Sequence, residues 1–176
     1  MGDRTGGEIT IHPVRPDDWR SHRDLRLEML LDAPDAFWTQ YADVADLDEA
    51  GWRRRIENQR HLQARLDGDP VGSVGIWDGP DWRDGSERLD ASMLVAMYVA
   101  HRARGRHIGE RLVEAVLADA VARGKARVVL EVTSSNAPAI ALYQRMGFCY
   151  NGIRRPHPRN PQLEELEMER WVVDAG

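Results

Sequence analysis

Arg102, Arg104 and Arg106 flank Gly105 directly after the apolar run Met97-Tyr98-Val99-Ala100, and Gly109 follows where a helical pattern begins. A strand that ends in an arginine- and glycine-bearing turn and then opens a helix is suited to holding a phosphate or pyrophosphate. The first turn of a helix has backbone N–H groups without intrahelical partners and carries the positive end of the helix dipole. Gly105 and Gly109 lack the Cβ atoms that would keep a ligand away from those amides, and the arginines add positive charge to an acidic chain. The chemistry expected here starts from a phosphorylated cofactor.

The protein has 176 residues, enough for one core and too few for two ordinary domains, so residues 1–176 are expected to form a single domain. With 42% hydrophobic and 30% charged residues, the composition is that of a soluble globular protein. The net charge of −5 argues against non-specific binding to nucleic acid, which needs a broad basic surface. No stretch approaches the roughly 18–20 apolar residues of a membrane span, and the polar N-terminus lacks the apolar centre of a signal peptide. Cys149 is the only cysteine, which excludes an internal disulfide and suits a reducing cytoplasm. His12, His22, His61, His101, His107 and His157 show no metal-ligand spacing, so no metal is expected. No P-loop or Gly-x-Ser-x-Gly sequence occurs, and Gly105 and Gly109 are late and wrongly spaced for a dinucleotide-binding unit.

The elements that must carry these residues follow from periodicity. Residues 8–14 alternate as a strand, and Asp17 or Asp18 can cap a helix to about Leu31 that Ala33-Pro34-Asp35 breaks. A second helix spans about 48–59, then strands near 61–67 and 71–77 meet at the turn Asp67-Gly68-Asp69-Pro70. A polar loop at 78–88 leads into a long strand over 89–100. From Gly109 to Arg123, Leu112, Val113, Val116, Leu117 and Ala120 recur at helical spacing, with Gly124 as a stop. A strand at 127–133, a helix at 138–146 closed by Gly147, and strands at about 148–153 and 163–172 complete the chain, the last two separated by 154–161.

This order, with its Arg-x-Arg-Gly-x-x-Ile-Gly turn, its Asn136-Ala-Pro-Ala139-Ile-Ala-Leu-Tyr143 helix and the following Gly147-Phe148, resembles the GNAT superfamily of acetyl-CoA-dependent N-acetyltransferases. The strong part covers residues 93–150. The resemblance implies a mixed α/β fold, a mostly antiparallel twisted sheet flanked by helices, with acetyl-CoA as cofactor. It implies that backbone groups of Met97, Tyr98 and Val99 pair with the pantetheine arm and acetyl carbonyl. Amides from Arg104 through Gly105, Arg106, His107 and Ile108 to Gly109 would hold the pyrophosphate, Asn136 would bond the pantetheine, and the Tyr143 hydroxyl would lie near the cofactor sulfur. His107 stands where the family usually has its first glycine; its amide is kept if the backbone there is reached without a positive φ.

Transfer to an amine sets further demands. An alkylamine with a pKa of about 10.4 is almost wholly protonated at neutral pH, so a base must take its proton. Donors are needed for the developing oxyanion and an acid for the departing thiolate. By the same resemblance Glu131, twelve residues before Tyr143, is the candidate base and Tyr143 the acid. Taken alone, Tyr143 would read as a core aromatic, Asn136 as a helix cap, and Glu131 as a solvated strand carboxylate. Acceptor contacts are expected from residues 17–59, 78–88 and 154–161, with Trp38, Tyr41, Trp77 and Trp82 as aromatic walls. Asp32, Asp35, Asp78, Asp81 and Asp84 would attract a cationic amine. The expected activity is acetyl transfer to a small-molecule amine such as an amino acid, polyamine or antibiotic. The alternatives are a protein N-terminal acetyltransferase and a non-catalytic acyl-CoA-binding module. The partner is then a small molecule, with neither nucleic acid nor membrane, and a homodimer is a state common among relatives.

Overall fold

Alternation of apolar and polar residues in seven segments builds one sheet in the order β1-β2-β3-β4-β5-β7-β6. The computed structural model describes residues 7–81 and 84–173. The strands are β1 (Ile9–Pro13), β2 (Arg60–Leu66), β3 (Asp69–Trp77), β4 (Ala91–Val99), β5 (Arg127–Thr133), β6 (Cys149–Pro156) and β7 (Glu164–Trp171). Every neighbouring pair is antiparallel except β4 and β5, which are parallel. The helices are α1 (Trp19–Asp32), α2 (Glu49–Asn58), α3 (Ile108–Ala122) and α4 (Ala137–Arg145). The expected mixed, mostly antiparallel sheet flanked by helices is what forms.

Local chemistry fixes the helix ends. The Asp48 carboxylate accepts from the Gly51 amide at 2.8 Å and starts α2, whose Trp52 and Ile56, one turn apart, are buried. Complete burial of a side chain as large as Trp52 contributes on the order of 3 kcal/mol. α3 buries Leu112, Val113, Val116, Leu117 and Ala120 along one face, and Gly124 takes the left-handed conformation after its end.

The sheet separates two sets of contacts. Val128, Leu130 and Val132 of β5 join the core that contains the apolar face of α3. Val129 packs instead with Ala91 and Met93. By the period of two, Glu131 shares the Val129 face. Trp19, Leu25, Met29 and Leu30 of α1 pack with Trp52 and Ile56 of α2 and with Tyr98 and Ala100.

Strand β4 is irregular in two respects. The β3–β4 register shifts between Ser73 and Gly75, so that Ala96 and Met97 both face Val74, and Ala96 has φ 51°. This is a β-bulge, which bends and twists the strand. Parallel pairing of β4 with β5 runs from Ala91–Arg127 to Leu94–Leu130 and stops there. Beyond Leu94 the two strands diverge.

Strand β4 begins at Ala91 rather than near residue 89, because the Asp90 carbonyl accepts from the Ala126 and Arg127 amides. Residues 154–156 belong to β6 and not to the following connection: Arg154, Arg155 and Pro156 pair with Leu166, Glu165 and Glu164. β6 is an edge strand, where a proline without an N–H is tolerated. Among the described residues no helix is long and apolar enough to cross a membrane.

His22 of α1 and His61 of β2 are buried with ring centroids 4.5 Å apart. Burial, and then the charges of Arg26 and Arg55, push His22 down to about 4; burial likewise holds His61 well below its ordinary value. Both stay neutral when folded, while an unfolded chain protonates them below about pH 6.5. Stability is therefore complete above that pH and falls as pH drops toward 4, by up to about 1.4 kcal/mol per pH unit for each histidine. Urea unfolding at pH 7.5 and 5 should show this loss, and His22→Gln should reduce the difference. An equal pH dependence in the variant would refute this origin.

Candidate functional site

At the C-terminal end of β4 the chain makes a short 3-10 turn at His101–Ala103, passes Gly105 at φ +76°, and enters α3 through His107. His107 adopts φ 59° and ψ 22°, so the condition set for it, a backbone reached without positive φ, is not met. Histidine is one of the side chains enriched in that region, and a left-handed residue is what turns the chain into the helix. His107 supplies no capping hydrogen bond to the first turn of α3. Its ring is exposed, with Nδ1 3.5 Å from Glu110 Oε1.

A cavity of about 380 Å³ opens at this helix start, lined among others by Val99, Arg104, Gly105, His107, Gly109 and Leu142. Ile108 borders it from the first position of α3. A Cβ on Gly109 would lie 3.1 Å from Leu142 Cδ2, so this glycine lets the start of α3 approach α4 closely. The three arginines differ. Arg102 pairs with Glu28 and donates to the Pro70 carbonyl at 3.0 Å. Arg104 holds Asp32 at 2.9 Å and the Val99 carbonyl at 3.0 Å. Arg106 is exposed and makes no hydrogen bond or ion pair among the described residues. An uncapped helix start, a left-handed glycine with nothing within 4 Å of its would-be Cβ, and an untethered arginine fit a pyrophosphate.

Between this cavity and a second one runs the diverging part of β4. Met97, Tyr98 and Val99 pair with no strand on the β5 side, because β4–β5 pairing has ended at Leu94. The Tyr98 ring is buried, and its hydroxyl donates to Asp32 at 3.1 Å. Asn136 caps α4, its Oδ1 accepting from the Ala139 amide at 3.3 Å. Tyr143 is buried in the main core, 5.9 Å from the Phe148 ring, and lines neither of the two cavities. Burial pushes its phenol well above the ordinary value and keeps it protonated.

The second cavity, about 340 Å³, lies beside the bulge and is lined by Val95 and Ala96 of β4, by Phe37, Trp38 and Trp77, and by polar groups. Glu131 reaches it from β5 with its side chain 8% exposed and Arg155 Nη1 at 3.2 Å. Glu165 of β7 also lines it and accepts from Trp38 Nε1 at 2.8 Å, which fixes that wall. Behind them the buried Glu167 receives Asn151, Arg88 and Arg155 at 2.7, 3.0 and 3.0 Å, and these bonds hold it below the usual carboxylate range against burial.

The acidic wall is thus Glu131 and Glu165, not the aspartates anticipated from the connections. Asp32, Asp35, Asp78, Asp81 and Asp84 do not line the cavity. Asp78 is held by Arg60 and Ser92, Asp81 is buried against Arg88 at 2.6 Å, and Asp84 accepts from the Ser86 amide. Tyr41 is exposed and outside the cavity lining, and Trp82 lies outside the described residues. Glu165, Arg26 and Arg55 line the cavity without having been singled out in the sequence.

Comparison with known proteins agrees with this geometry. The acetyltransferase (GNAT) family matches residues 24–148. A streptothricin acetyltransferase of Streptomyces lavendulae is 46% identical over 97 residues, covering 55% of this chain and 48% of that protein. An L-methionine sulfoximine/L-methionine sulfone acetyltransferase of Pseudomonas aeruginosa is 33% identical over 105 residues, covering 59% and 56%. The chain spans between 35% and 62% of the length of the curated relatives it matches. A putative acetyltransferase from Salmonella typhimurium, solved with acetyl-CoA, shares the fold with a TM-score of 0.75 at 19% identity, covering 96% of each chain.

The left-handed backbone at His107 makes a stability prediction. A β-branched side chain fits that region poorly, so His107→Val should lower the unfolding free energy by about 1–2 kcal/mol in urea titration. His107→Asn should stay within about 0.5 kcal/mol of the parent. Equal stability of all three would show that this conformation does not constrain the turn.

Proposed function

The chain belongs to the acetyltransferase (GNAT) family, and on that premise we propose that it moves acetyl from acetyl-CoA directly to a primary amine of a small molecule. The observation that carries this reading is the stretch of β4 beyond Leu94, which diverges from β5 between a cavity suited to pyrophosphate and a cavity bearing carboxylates. A tethered thioester and an amine can meet along that strand without a covalent enzyme intermediate.

Acetyl-CoA supplies the activated acetyl group as a thioester. The uncapped start of α3, Gly105, Gly109 and Arg106 would hold its phosphates. Backbone groups of Met97, Tyr98 and Val99 would orient the extended arm, and Asn136 would add a side-chain contact. The Tyr98 or Val99 amide donates to the carbonyl oxygen as negative charge develops there. Glu131 takes the ammonium proton directly or through water, the amine nitrogen forms its bond to the acetyl carbon, the carbon–sulfur bond breaks, and the acylated nitrogen sheds its second proton to water, from which the Tyr143 phenol is restored. Tyr143, kept protonated by burial, gives its proton to the departing sulfur. Asp32 links the Tyr98 hydroxyl to Arg104 and so positions both.

A cavity of about 340 Å³ walled by Phe37, Trp38 and Trp77 has the size of a small-molecule site. The streptothricin and methionine sulfoximine relatives act on small molecules by name, which supports the same class of acceptor. A protein N-terminal amine, as in the relative named for the ribosomal protein bS18, is the alternative. Its α-amine has a pKa of only about 7.7–8.0 and needs far less help from a base.

Thiol release from acetyl-CoA should depend on one class of amine in a panel of antibiotics, polyamines, amino acids and short peptides. Tyr143→Phe should lower kcat about 10²-fold or more while leaving acetyl-CoA affinity within about threefold. Glu131→Gln should lower kcat/KM most at pH 7 and progressively less toward pH 9.5, where the amine loses its proton unaided. Acetyl-CoA binding without turnover on any amine would replace the enzyme with a binding module.

A further inference from the structure

Arg26 of α1 and Arg55 of α2 both line the cavity that also holds Glu131 and Glu165. Among the described residues neither guanidinium makes a hydrogen bond or an ion pair, in contrast to Arg60, Arg88, Arg104, Arg127 and Arg155, which all hold carboxylates. The charged group felt most by Arg26 is Arg55, a like charge, and burial together with that charge pushes Arg26 down to about 10. Arg55 is lowered by burial too, opposed only by the through-space field of Asp43. Both remain cationic at neutral pH. His22 and His61, beside them in the fold, are neutral there and offer no compensating charge.

Two like charges held without counterions at a half-buried site are unfavourable for the fold itself. They are retained at low cost only where a ligand supplies the missing negative charge, and a guanidinium binds carboxylate through two parallel hydrogen bonds. The carboxylates of Glu131 and Glu165 lie in the same cavity, but they are engaged by Arg155 and Trp38 respectively and not by Arg26 or Arg55. The Gln59 side chain lines the cavity as well and adds a neutral amide.

We infer that Arg26 and Arg55 form a carboxylate-binding end of the acceptor cavity, so that the acceptor is an amino acid or close analogue carrying both an amine and a carboxylate. The inference rests on the acetyl-transfer reading of this cavity and deepens it. The carboxylate is drawn to the arginines, leaving the amine to reach the space between the bulged part of β4 and Glu131 of β5. A polyamine, with positive charge at each end, is rejected by the same pair. Specificity then comes from one attractive and one repulsive element in a single pocket.

The test uses the full chain and matched acceptors: L-amino acids, the corresponding amino-acid amides, and the corresponding decarboxylated amines. For the side chain best accepted, kcat/KM should be at least about tenfold higher for the carboxylate form than for either partner. Arg26→Gln and Arg55→Gln should each raise KM for that form about 10–100-fold with kcat changed less than about threefold, and Arg55→Lys should recover part of the loss. Their melting temperatures should not fall, since each variant relieves repulsion between two half-buried cations. Equal turnover of the three forms, or an unmoved KM in folded variants, would overturn the inference. If no compound of any form is acetylated although acetyl-CoA binds, the transferase reading fails instead. Calorimetric titration of the same compounds then decides the arginine site: binding of the carboxylate forms that disappears in Arg26→Gln sustains it, and absence of such binding overturns it.

Discussion

Everything at the candidate site depends on β4 leaving its parallel neighbour after four paired residues. The bulge opposite Val74 places Ala96 at positive φ and bends the strand, and β5 continues straight into its pairing with β7. Backbone groups that a closed sheet would consume are therefore without a strand partner on that side along Met97, Tyr98 and Val99, where the Val99 carbonyl accepts from Arg104 instead. Buried backbone without a partner is unfavourable, and here the gap is where an extended ligand backbone can complete the sheet. The bulge is held from both sides: Gly72 and Ser73 pair normally with Val99 and Tyr98 beyond it, and Gly75, Ile76 and Trp77 pair normally before it.

Charge is distributed around this opening in two ways. On the β5–β7 face the acids are fixed: Glu131 and Glu167 share Arg155, Glu167 is also met by Arg88 and Asn151, and Glu165 is held separately by Trp38. Burial opposes the charge of Glu167, but its bonds to Asn151, Arg88 and Arg155 hold it below the usual carboxylate range and set its position within narrow limits. On the helical side Arg26 and Arg55 have no such matching partners among the described residues. On the reading proposed above, the first side of the pocket is complete in itself and the second would be completed by a ligand.

The sequence made much of this frame readable. α3, β5 and α4 stand where their apolar spacing and the stops at Gly124 and Gly147 place them, because these segments bury one strongly patterned face. The turn between β4 and α3 was readable because glycines and arginines cluster within a few residues. The bulge was not, since Ala96 carries neither the glycine nor the proline that usually marks an irregular strand. Strand β7, Glu164–Trp171, is so rich in glutamate that it reads as solvated, yet Glu165 and Glu167 are buried by partners far away in sequence. Which arginine of a helix turns inward is likewise decided by tertiary packing and not by local pattern, and this concealed Arg26 and Arg55. Asp78 misled for the same reason, since its partners Arg60 and Ser92 lie elsewhere in the chain, whereas Asp81 and Asp84 are taken up by Arg88 and Ser86 of their own connection.

Helix α1 has a role that its amphipathic pattern does not announce. Arg26 borders the acceptor cavity, while Glu28 and Asp32 of the same helix hold Arg102 and Arg104 at the phosphate turn. Six residues of helix separate Arg26 from Asp32, a rise of about 9 Å along the axis. Under the proposed reading one rigid rod would serve as the ruler between the anchor for one reactant and the anchor for the other. The length of the molecules that could meet on β4 would then be written into the pitch of that helix, and a shift of α1 along its own axis would change the gauge of both cavities at once.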